Sequence, residues 1–431
     1  MTDLLSPDLP GAPEAPPAPV RHRRLDRRTA AGVVFIIFGL LDIFGFGLDR
    51  SGHATFGLTL PGSSVHLHPL HLPVTATCVA AGVVTGALAA WWLGRPLGRG
   101  ARRTVISVVL VLFVLAFLCW SDARKTMSLV GLLQSSVDRS IPIVLGALAG
   151  CLCERAGVIN IAIEGQLLFG AFAGAIVASV TNSLWLGVVA AALAGALLAL
   201  ILAVFAIRYA VNQIVVGVVL NVFATGLTGY LYDRALVKYQ NTLNSPGIFP
   251  RVRLPGLAAI PIVGPVLFDS TVFLYMTYVI LIVLQVYLFR SRWGLRVRAV
   301  GEHPVAAETV GIRVLFTRYR NVVMGGMVAG IGGAYLTIGS VGPFGKDVSS
   351  GKGFIALAAL IFGRWTPVGA MAAALLFGFT DALQNILSVL GTAIPSDFLL
   401  MLPYVVTIVV VAGMVGRVRP PKADGQPYVK S

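Results

Sequence analysis

A short charged stretch interrupts a chain that is otherwise strongly apolar: residues 294–312 read GLRVRAVGEHPVAAETVGI. Seven arginines lie between Arg290 and Arg320, and long apolar segments flank them on both sides. Pro304 suits the first turn of a helix, where a missing N–H carries no penalty, and Gly311 suits the position just past a helix end. The stretch therefore predicts a short helix on the cytoplasmic side of a membrane protein, placed to meet a partner.

The composition places most of the chain in a membrane. Hydrophobic residues make up 57% and charged residues 12%, whereas soluble chains carry about 25% charged residues. Several apolar runs reach the roughly 20 residues that cross a bilayer as a helix. These runs are continuous and do not alternate, which excludes a β-barrel. The net charge of +15 falls in short clusters between the runs. The positive-inside rule explains those clusters, so nucleic-acid binding is not indicated.

The apolar segments predict an all-α polytopic membrane protein of about 10–12 helices, including short half-helices. They lie at 31–48, 72–94, 104–121, 138–152, 159–180, 184–207, 212–232, 271–289, 319–339, 354–363, 366–390 and 398–416. The domain prediction is a disordered basic tail (1–30), an N-terminal membrane extension of about three helices (31–125), a core (126–420) and a C-terminal tail (421–431). One crossing per segment puts the arginine clusters and both termini in the cytoplasm.

Two segments, 138–152 and 354–363, are too short for a full crossing. The first begins with Asp138, Arg139 and Pro142, and the second follows a loop rich in glycine. Half-helices persist at membrane depth only when they are buried in protein or line a cavity. Paired short segments in the two halves of a transporter often mark its substrate path. The two segments therefore predict half-helices beside such a path.

Glu164 is the only charged residue between Ile159 and Ile207, and Asn160 precedes it by four residues. If both lie on one helix, they share a face. A carboxylate within a bilayer is costly and normally faces a cavity or a partner. Two interpretations stay open. Glu164 lines or gates a substrate path, or it forms an internal salt bridge, for example with Arg155.

Two further polar faces are candidates for the substrate path. Asp381, Gln384 and Asn385 have helical spacing, and Gln213, Gly217 and Asn221 have it on another segment. Amide and carboxylate groups on inward faces suit a polar, uncharged solute rich in hydroxyls. The alternative is hydrogen bonding between helices, which many membrane bundles use.

No motif for catalysis or for nucleotide binding is found. The loop Gly342–Gly353 lacks the glycine and the Ser or Thr that a phosphate loop requires. No cofactor is therefore predicted, and active transport would need another subunit to bind and hydrolyse ATP. Four histidines, His53, His66, His68 and His71, lie in a loop that is predicted to be outside the cell. Imidazoles can bind zinc or copper, but the loop offers no acidic co-ligand, so no metal site is predicted.

Three blocks of sequence resemble one known family. The signature segment (residues 154–165, ERAGVINIAIEG) is similar to the signature of permease subunits of bacterial ABC importers for nucleosides and simple sugars. Residues 300–312 resemble the cytoplasmic coupling segment of that family, and residues 353–367 resemble a third block. Residues 412–417 fit as well. The likeness covers roughly 128–430 and is greatest to guanosine-type nucleoside permeases, relatives of the branched-chain amino-acid and ribose permeases.

The resemblance implies the transmembrane fold of a type II ABC importer working by alternating access. Its implied partners are a cytoplasmic ABC ATPase, a second and often non-identical permease subunit, a substrate-binding lipoprotein or periplasmic protein, and membrane lipids. The coupling segment (residues 290–318) would contact the ATPase. Its candidate residues are Arg296, Arg298, Glu302, Pro304, Glu308, Gly311 and Arg313, with Pro304–Val310 as the coupling helix. Asn160 and Glu164 would lie beside the path.

The chain departs from the family at its beginning, because residues 1–125 add helices that shorter members lack. Three alternatives stay open. The first is a secondary transporter with Glu164 or Asp381 as a proton carrier, and the second is an ABC permease for branched-chain amino acids. The third is a membrane enzyme, which would need an acidic metal-binding pair that the sequence does not show.

Overall fold

The computed structural model describes residues 27–60, 67–391, 398, 401 and 419–429, and helices account for most of them. Among these residues, nine helices are long and apolar enough to cross a membrane. The predicted class, an all-α polytopic membrane protein, is confirmed. The chain divides into two compact units, residues up to 53 with 72–123, and residues 54–71 with 124 onwards.

The first unit contains three long helices. They are α1 (Arg27–Leu40), which continues as a π-helical segment (Leu41–Gly47), α2 (Val74–Gly94) and α3 (Arg99–Ser121). The ring of Phe35 meets that of Trp92 edge-on, with centroids 5.3 Å apart. Ala89, Val105 and Val109 are buried around this pair. The three helices thus associate through van der Waals packing of these side chains, as helices within a membrane do.

The second unit is a helical bundle with short strands at its connections. Strand β1 (His53–Gly57) runs parallel to β3 (Thr126–Ser128), and β2 is Leu70–Pro73. The remaining elements are α4 (Leu129–Arg155), α5 (Ile163–Thr181), α6 (Leu184–Ala203), α7 (Gln213–Leu231), α8 (Gln240–Leu243), β4 (Arg251–Arg253), α9 (Val263–Leu267), β5 (Asp269–Thr271), α10 (Val272–Arg290), α11 (Arg292–Glu302), α12 (Pro304–Thr309), α13 (Val314–Leu336), α14 (Lys352–Phe362) and α15 (Pro367–Leu390). Helices α6 and α7 end in π-helical turns (Val204–Arg208 and Tyr232–Leu236), and Leu257–Ala259 is a 3-10 turn. Strands β4 and β5 pair antiparallel.

Helix α13 lies in the centre of the second unit and packs against α4, α5 and α6. Glycines make this approach possible. A Cβ at Gly330 would overlap the carbonyl oxygen of Ala191 on α6, and a Cβ at Gly325 would lie 2.6 Å from the Cys153 sulfur on α4. Small residues let helix backbones approach closely where no water drives association. The buried α13 therefore fixes its three neighbours relative to one another.

One predicted half-helix is confirmed and the other is wrong. Helix α14 has 11 residues and matches the short segment 354–363. By contrast, 138–152 is only the second part of α4, which runs unbroken for 27 residues with Pro142 inside it. The charges at 138 and 139 do not end the helix because both side chains find partners on neighbouring elements. The predicted segment 398–416 lies almost entirely outside the described residues.

Candidate functional site

The signature segment forms the tight connection between α4 and α5. Gly157 has a φ of +83°, and a Cβ there would lie 3.0 Å from Arg318 Nη2 and 3.1 Å from the carbonyl oxygen of Ala423. Helix α5 begins only at Ile163. The prediction that Asn160 and Glu164 share a helix is therefore wrong. Instead, the buried side chain of Asn160 pairs with that of Gln166 through two hydrogen bonds of 3.0 and 3.2 Å.

Glu164 holds the beginning of the half-helix α14. Its carboxylate accepts hydrogen bonds from the amide N–H groups of Gly351 (2.8 Å) and Gly353 (2.6 Å). A Cβ at Gly353 would lie 2.5 Å from the Glu164 Cα, so only glycine allows the two backbones to meet. The first N–H groups of a helix lack internal partners and carry partial positive charge. The buried carboxylate is thus satisfied by a helix N-terminus.

Arg155 does not pair with Glu164, so that alternative is wrong. Arg155 donates from Nε to the carbonyl oxygen of Trp365 (2.8 Å) and from Nη2 to that of Arg364 (3.2 Å). Its guanidinium also lies over the ring of Phe289. Arg155 therefore fixes the turn that follows α14. Glu164 and Arg155 hold opposite ends of the same half-helix, and this arrangement could not be inferred from their spacing.

The predicted polar face of α7 exists and meets the signature segment. Gln213 Oε1 accepts from the N–H of Ile159 at 2.7 Å. Asn221 accepts from the N–H of Gly165 at 2.8 Å and donates to the carbonyl of Ile161 at 2.9 Å. Both side chains are buried. They hold the connection between α4 and α5 by hydrogen bonds between elements, as the alternative interpretation of this face proposed. Whether they also line the substrate path stays a prediction.

Asp381 on α15 is paired with Arg139 on α4, Oδ2 to Nη1, at 3.0 Å. Gln384 is half-buried and Asn385 is exposed. Asp138, which precedes Arg139 on α4, accepts hydrogen bonds from Ser270 Oγ at 2.6 Å and from Arg251 Nη2 at 2.8 Å. Sequence reasoning found Asp381 but missed both partnerships. The assignment of Asp381, Gln384 and Asn385 to the path is likewise untested.

The coupling segment forms two helices where one was predicted. Pro304 occupies the first turn of the six-residue α12, and Gly311 follows it with a φ of +84°, as predicted. The missed helix is α11, which buries Val297, Val300 and Gly301. Four candidate residues are exposed: Arg296, Glu302, Gly311 and Arg313. The guanidinium of Arg296 lies over the ring of Trp293 at 5.3 Å. The guanidinium of Arg298 lies over the Phe289 ring at 5.3 Å, and Glu308 is half-buried.

A C-terminal strap (residues 419–429) lies on the coupling segment. The N–H of Ala423 donates to the carbonyl of Gly301 at 2.9 Å, and Arg318 Nη1 donates to the carbonyl of Gln426 at 2.9 Å. The Tyr428 hydroxyl donates to the Glu308 carboxylate. The sequence predicted only a cytoplasmic tail here. The strap sequence, RPPKADGQPYV, has no periodic pattern that could have identified it as a docked segment.

A carboxyl pair joins the strap to the signature segment. Asp424 shares a side-chain hydrogen bond with Glu154, which also accepts from the indole N–H of Trp365. Burial and the neighbouring Glu154 together raise the pKa of Asp424 to about 8, against the opposing effect of Arg318. The hydrogen bond to Glu308 raises the pKa of Tyr428 to about 12. The Asp424 carboxyl is therefore protonated more readily in the docked strap than in water.

We expect docking of the strap to weaken as the pH rises. The docked state raises the Asp424 pKa from 3.8 to about 8, so bound protons favour docking. That contribution is complete below about pH 4 and is lost as the pH rises to about 8. Spin labels on Val310→Cys and Val429→Cys measure the distance between the end of α12 and the strap. Both valines are exposed, and the four native cysteines are buried.

The variant Asp424→Asn is the control for this pH dependence. It keeps the volume of the side chain but cannot ionise, so the pH dependence of the label-to-label distance should become clearly weaker. Glu154 and Arg318, which face Asp424 from α4 and α13, stay in place. An equal pH dependence in Asp424→Asn, or closer docking at high pH, would contradict the assignment.

The histidine loop offers no built metal site in the part of the chain that the structure describes. His71 Nδ1 lies 3.0 Å from Thr55 Oγ1. Within the described ranges, no three His, Cys, Asp or Glu residues are grouped to hold an ion. His66 lies outside those ranges. Metal binding by this loop is therefore untested.

Comparison with known proteins identifies the class of protein to which this geometry belongs. The family described as "Branched-chain amino acid transport system / permease component" matches residues 132–411. The chain belongs to this family of ABC transporter permeases. No solved structure matches it.

Several characterised relatives are similar over most of their length. The chain is 39% identical over 306 residues to the guanosine ABC transporter permease protein NupQ of Bacillus subtilis, covering 67% of this chain and 93% of that protein. It is 37% identical over 301 residues to the nucleoside ABC transporter permease protein NupC of Lactococcus lactis, covering 68% and 94%. The glucose ABC transporter permease protein TsgB13 of Haloferax volcanii is 31% identical over 254 residues, covering 56% and 65%. The resemblance that the sequence blocks suggested is confirmed.

Proposed function

We propose that this permease imports nucleosides, or simple sugars related to them, across a bacterial plasma membrane. The observation that carries the proposal is 39% identity spanning 93% of a guanosine permease. The glucose permease named above is less similar to this chain than the two nucleoside permeases named with it. Helices α4, α5, α7 and α14 meet through polar contacts between buried side chains and backbone, and we propose that these helices form one side of the substrate path.

The chain requires partners to do this work. A cytoplasmic ABC ATPase supplies ATP binding and hydrolysis, because the sequence has no phosphate loop. A second permease subunit and a substrate-binding lipoprotein complete the importer. The ATPase contact is the exposed side of the coupling segment, with Arg296, Glu302 and Arg313 and the exposed apolar side chains of Val305 and Val310. Both termini are cytoplasmic in this arrangement.

The transport cycle is alternating access without bond making in this chain. Closure of the ATPases displaces α12, and α11 carries that displacement to the end of α4, where Gly301 packs against the carbonyl of Arg155. The signature segment then moves with α7, because Gln213 and Asn221 hold its backbone. Glu164 passes the motion to α14.

An ion-coupled transporter is the weaker candidate. A proton carrier must release its proton and rebind it in each cycle. Glu164 accepts two backbone hydrogen bonds and Asp381 is paired with Arg139. The partners of these carboxylates therefore favour a structural role.

Uptake into liposomes tests the proposed function. The complete importer, with ATP enclosed, is given labelled guanosine, uridine, ribose, glucose and leucine in separate assays. We expect uptake of nucleosides that requires the enclosed ATP. Uptake driven by a proton gradient without ATP would support the secondary transporter, and uptake of leucine alone would indicate an amino-acid permease.

Replacing Arg313 by Ala should uncouple ATP hydrolysis from transport. Arg313 is exposed beside the end of α12, and the loss of one charged interface contact reduces coupling by about tenfold. The measurement is nucleoside uptake per ATP hydrolysed, with substrate delivery by the lipoprotein assayed separately. Arg95→Ala, which removes the same charge from an exposed position between α2 and α3 and outside the coupling segment, is the matched control. Equal uptake per ATP in both variants would refute the assignment.

A further inference from the structure

The C-terminal strap contacts each of the three helices of the coupling region through a different residue. Ala423 binds the end of α11 through the carbonyl of Gly301, and Gln426 receives a hydrogen bond from Arg318 on α13. Tyr428 binds Glu308 on α12. These anchors fall within six residues of chain, so the strap cannot move without breaking several contacts together.

Tyr428 also completes a small apolar core. Its ring is buried with Val300 of α11, Ala307 of α12 and Val314 of α13, and Ile312 packs against this group. Helix α12 has only six residues, and Ala307 is its one buried residue. A helix this short is not stable on its own and depends on tertiary packing. The strap therefore supplies part of the surface that keeps α12 folded and in place.

The strap also binds the buried cation Arg318 on α13. Its side chain is 1% exposed, and a buried guanidinium must be compensated by hydrogen bonds or opposite charge. The strap provides the carbonyl of Gln426, the nearby carboxyl of Asp424 and the ring of Tyr428, 6.0 Å from the guanidinium carbon. Because α13 packs against α4, α5 and α6, the strap connects α12 to the centre of the bundle.

We propose that residues 419–429 transmit motion from the coupling helix to α13, and that Tyr428 is the positioning residue that binds α12 to this strap. The proposal rests on the function proposed above, in which an ATPase moves α12. Force on α12 then passes from Glu308 to Tyr428, along the strap backbone to Gln426, and into Arg318. The strap thus links α12 to α13 in addition to the covalent link through Gly311. With both links in place, a displacement of α12 moves α13 more completely.

The test compares Tyr428→Phe, Tyr428→Ala and Val429→Ala in the complete importer with its ATPase. Tyr428→Phe removes only the hydroxyl and keeps the buried ring, so it should fold. Val429 is the matched control, because it is the next residue of the strap and is 79% exposed. The first two readouts are uptake per ATP hydrolysed and the thermal midpoint of the assembled complex. The third is the distance between spin labels on Val310→Cys and Lys422→Cys, both exposed positions, measured for all three variants in the permease without its ATPase.

We expect Tyr428→Phe to hydrolyse ATP at the wild-type rate but to lose about tenfold in uptake per ATP, the order expected from losing a hydrogen bond to a charged group. Tyr428→Ala should lose more and broaden the label distances, while Val429→Ala matches the wild type. A lower thermal midpoint with unchanged uptake per ATP would show a merely structural role and overturn the proposal. So would equal coupling in Tyr428→Phe and Val429→Ala. Failure of the proposed function is distinguishable, because the wild type itself would then show no ATP-dependent uptake.

Discussion

Replacing Glu164 by Ala should lower the free energy of unfolding of the permease by roughly 3–5 kcal/mol and abolish uptake. The carboxylate accepts two hydrogen bonds, from Gly351 and Gly353. Each hydrogen bond to a charged group contributes about 1.5–3 kcal/mol. Their loss leaves two N–H groups of a buried helix start without partners, so α14 should shift or unwind. Thermal unfolding of the purified chain in detergent measures the first effect, and liposome uptake measures the second.

Two further variants separate the role of this carboxylate from a general effect of removing charge. Glu164→Gln keeps one acceptor oxygen but turns an amide N–H towards a backbone N–H, so it should lie between the wild type and Glu164→Ala. Asp233→Ala removes a carboxylate from an ion pair with Lys346 in which both side chains are more than half exposed, and such pairs contribute about 0–1 kcal/mol. Equal unfolding temperatures for Glu164→Ala and Asp233→Ala would show that Glu164 does not cap α14.

A methyl group at Gly330 should also destabilise the permease. A Cβ there would overlap the carbonyl oxygen of Ala191 and lie 2.9 Å from the carbonyl carbon of that residue. Because the obstacle is backbone, relief requires α6 and α13 to separate. Overpacking of this kind costs about 1–3 kcal/mol, and more where neighbours cannot yield. We expect Gly330→Ala to unfold at a markedly lower temperature and to assemble poorly.

Gly226→Ala provides the matched comparison. Gly226 lies within α7, and a Cβ at this position meets no atom within 4 Å. Alanine stabilises a helix interior relative to glycine by roughly 0.5–1 kcal/mol, so this variant should be as stable as the wild type or slightly more so. If both glycine variants unfold at the same temperature, the close contact of α6 and α13 is not a determinant of stability.

The fold class and the position of the coupling helix could be predicted because both depend on neighbouring residues. Long apolar runs indicate membrane helices whatever their tertiary partners are. Pro304 and Gly311 mark the two ends of α12 through their own backbone preferences. The shortness of α14 was equally visible. The family was recognisable for a related reason, since its blocks are short continuous stretches of sequence.

Partnerships across the bundle were not predictable. Arg155 was the partner suggested for Glu164, but Glu164 binds the amides of Gly351 and Gly353, far along the chain. Its place beside a substrate path stays a prediction. The same holds for Asp381 with Arg139, and for Asp138 with Ser270. Charge within an apolar run says that a partner must exist, yet it does not say which one. The segment 138–152 was misjudged for this reason.

Hydrophobic length, charge position and helix-end residues act locally, so reading the chain alone was enough to identify a helical membrane permease with a charged coupling segment. The way in which that segment is held became visible only in the folded molecule. The strap at 419–429 meets α11 through a backbone amide, α13 through a backbone carbonyl and α12 through one tyrosine hydroxyl. Backbone groups are the same in every residue, so contacts made through them leave no pattern in the sequence.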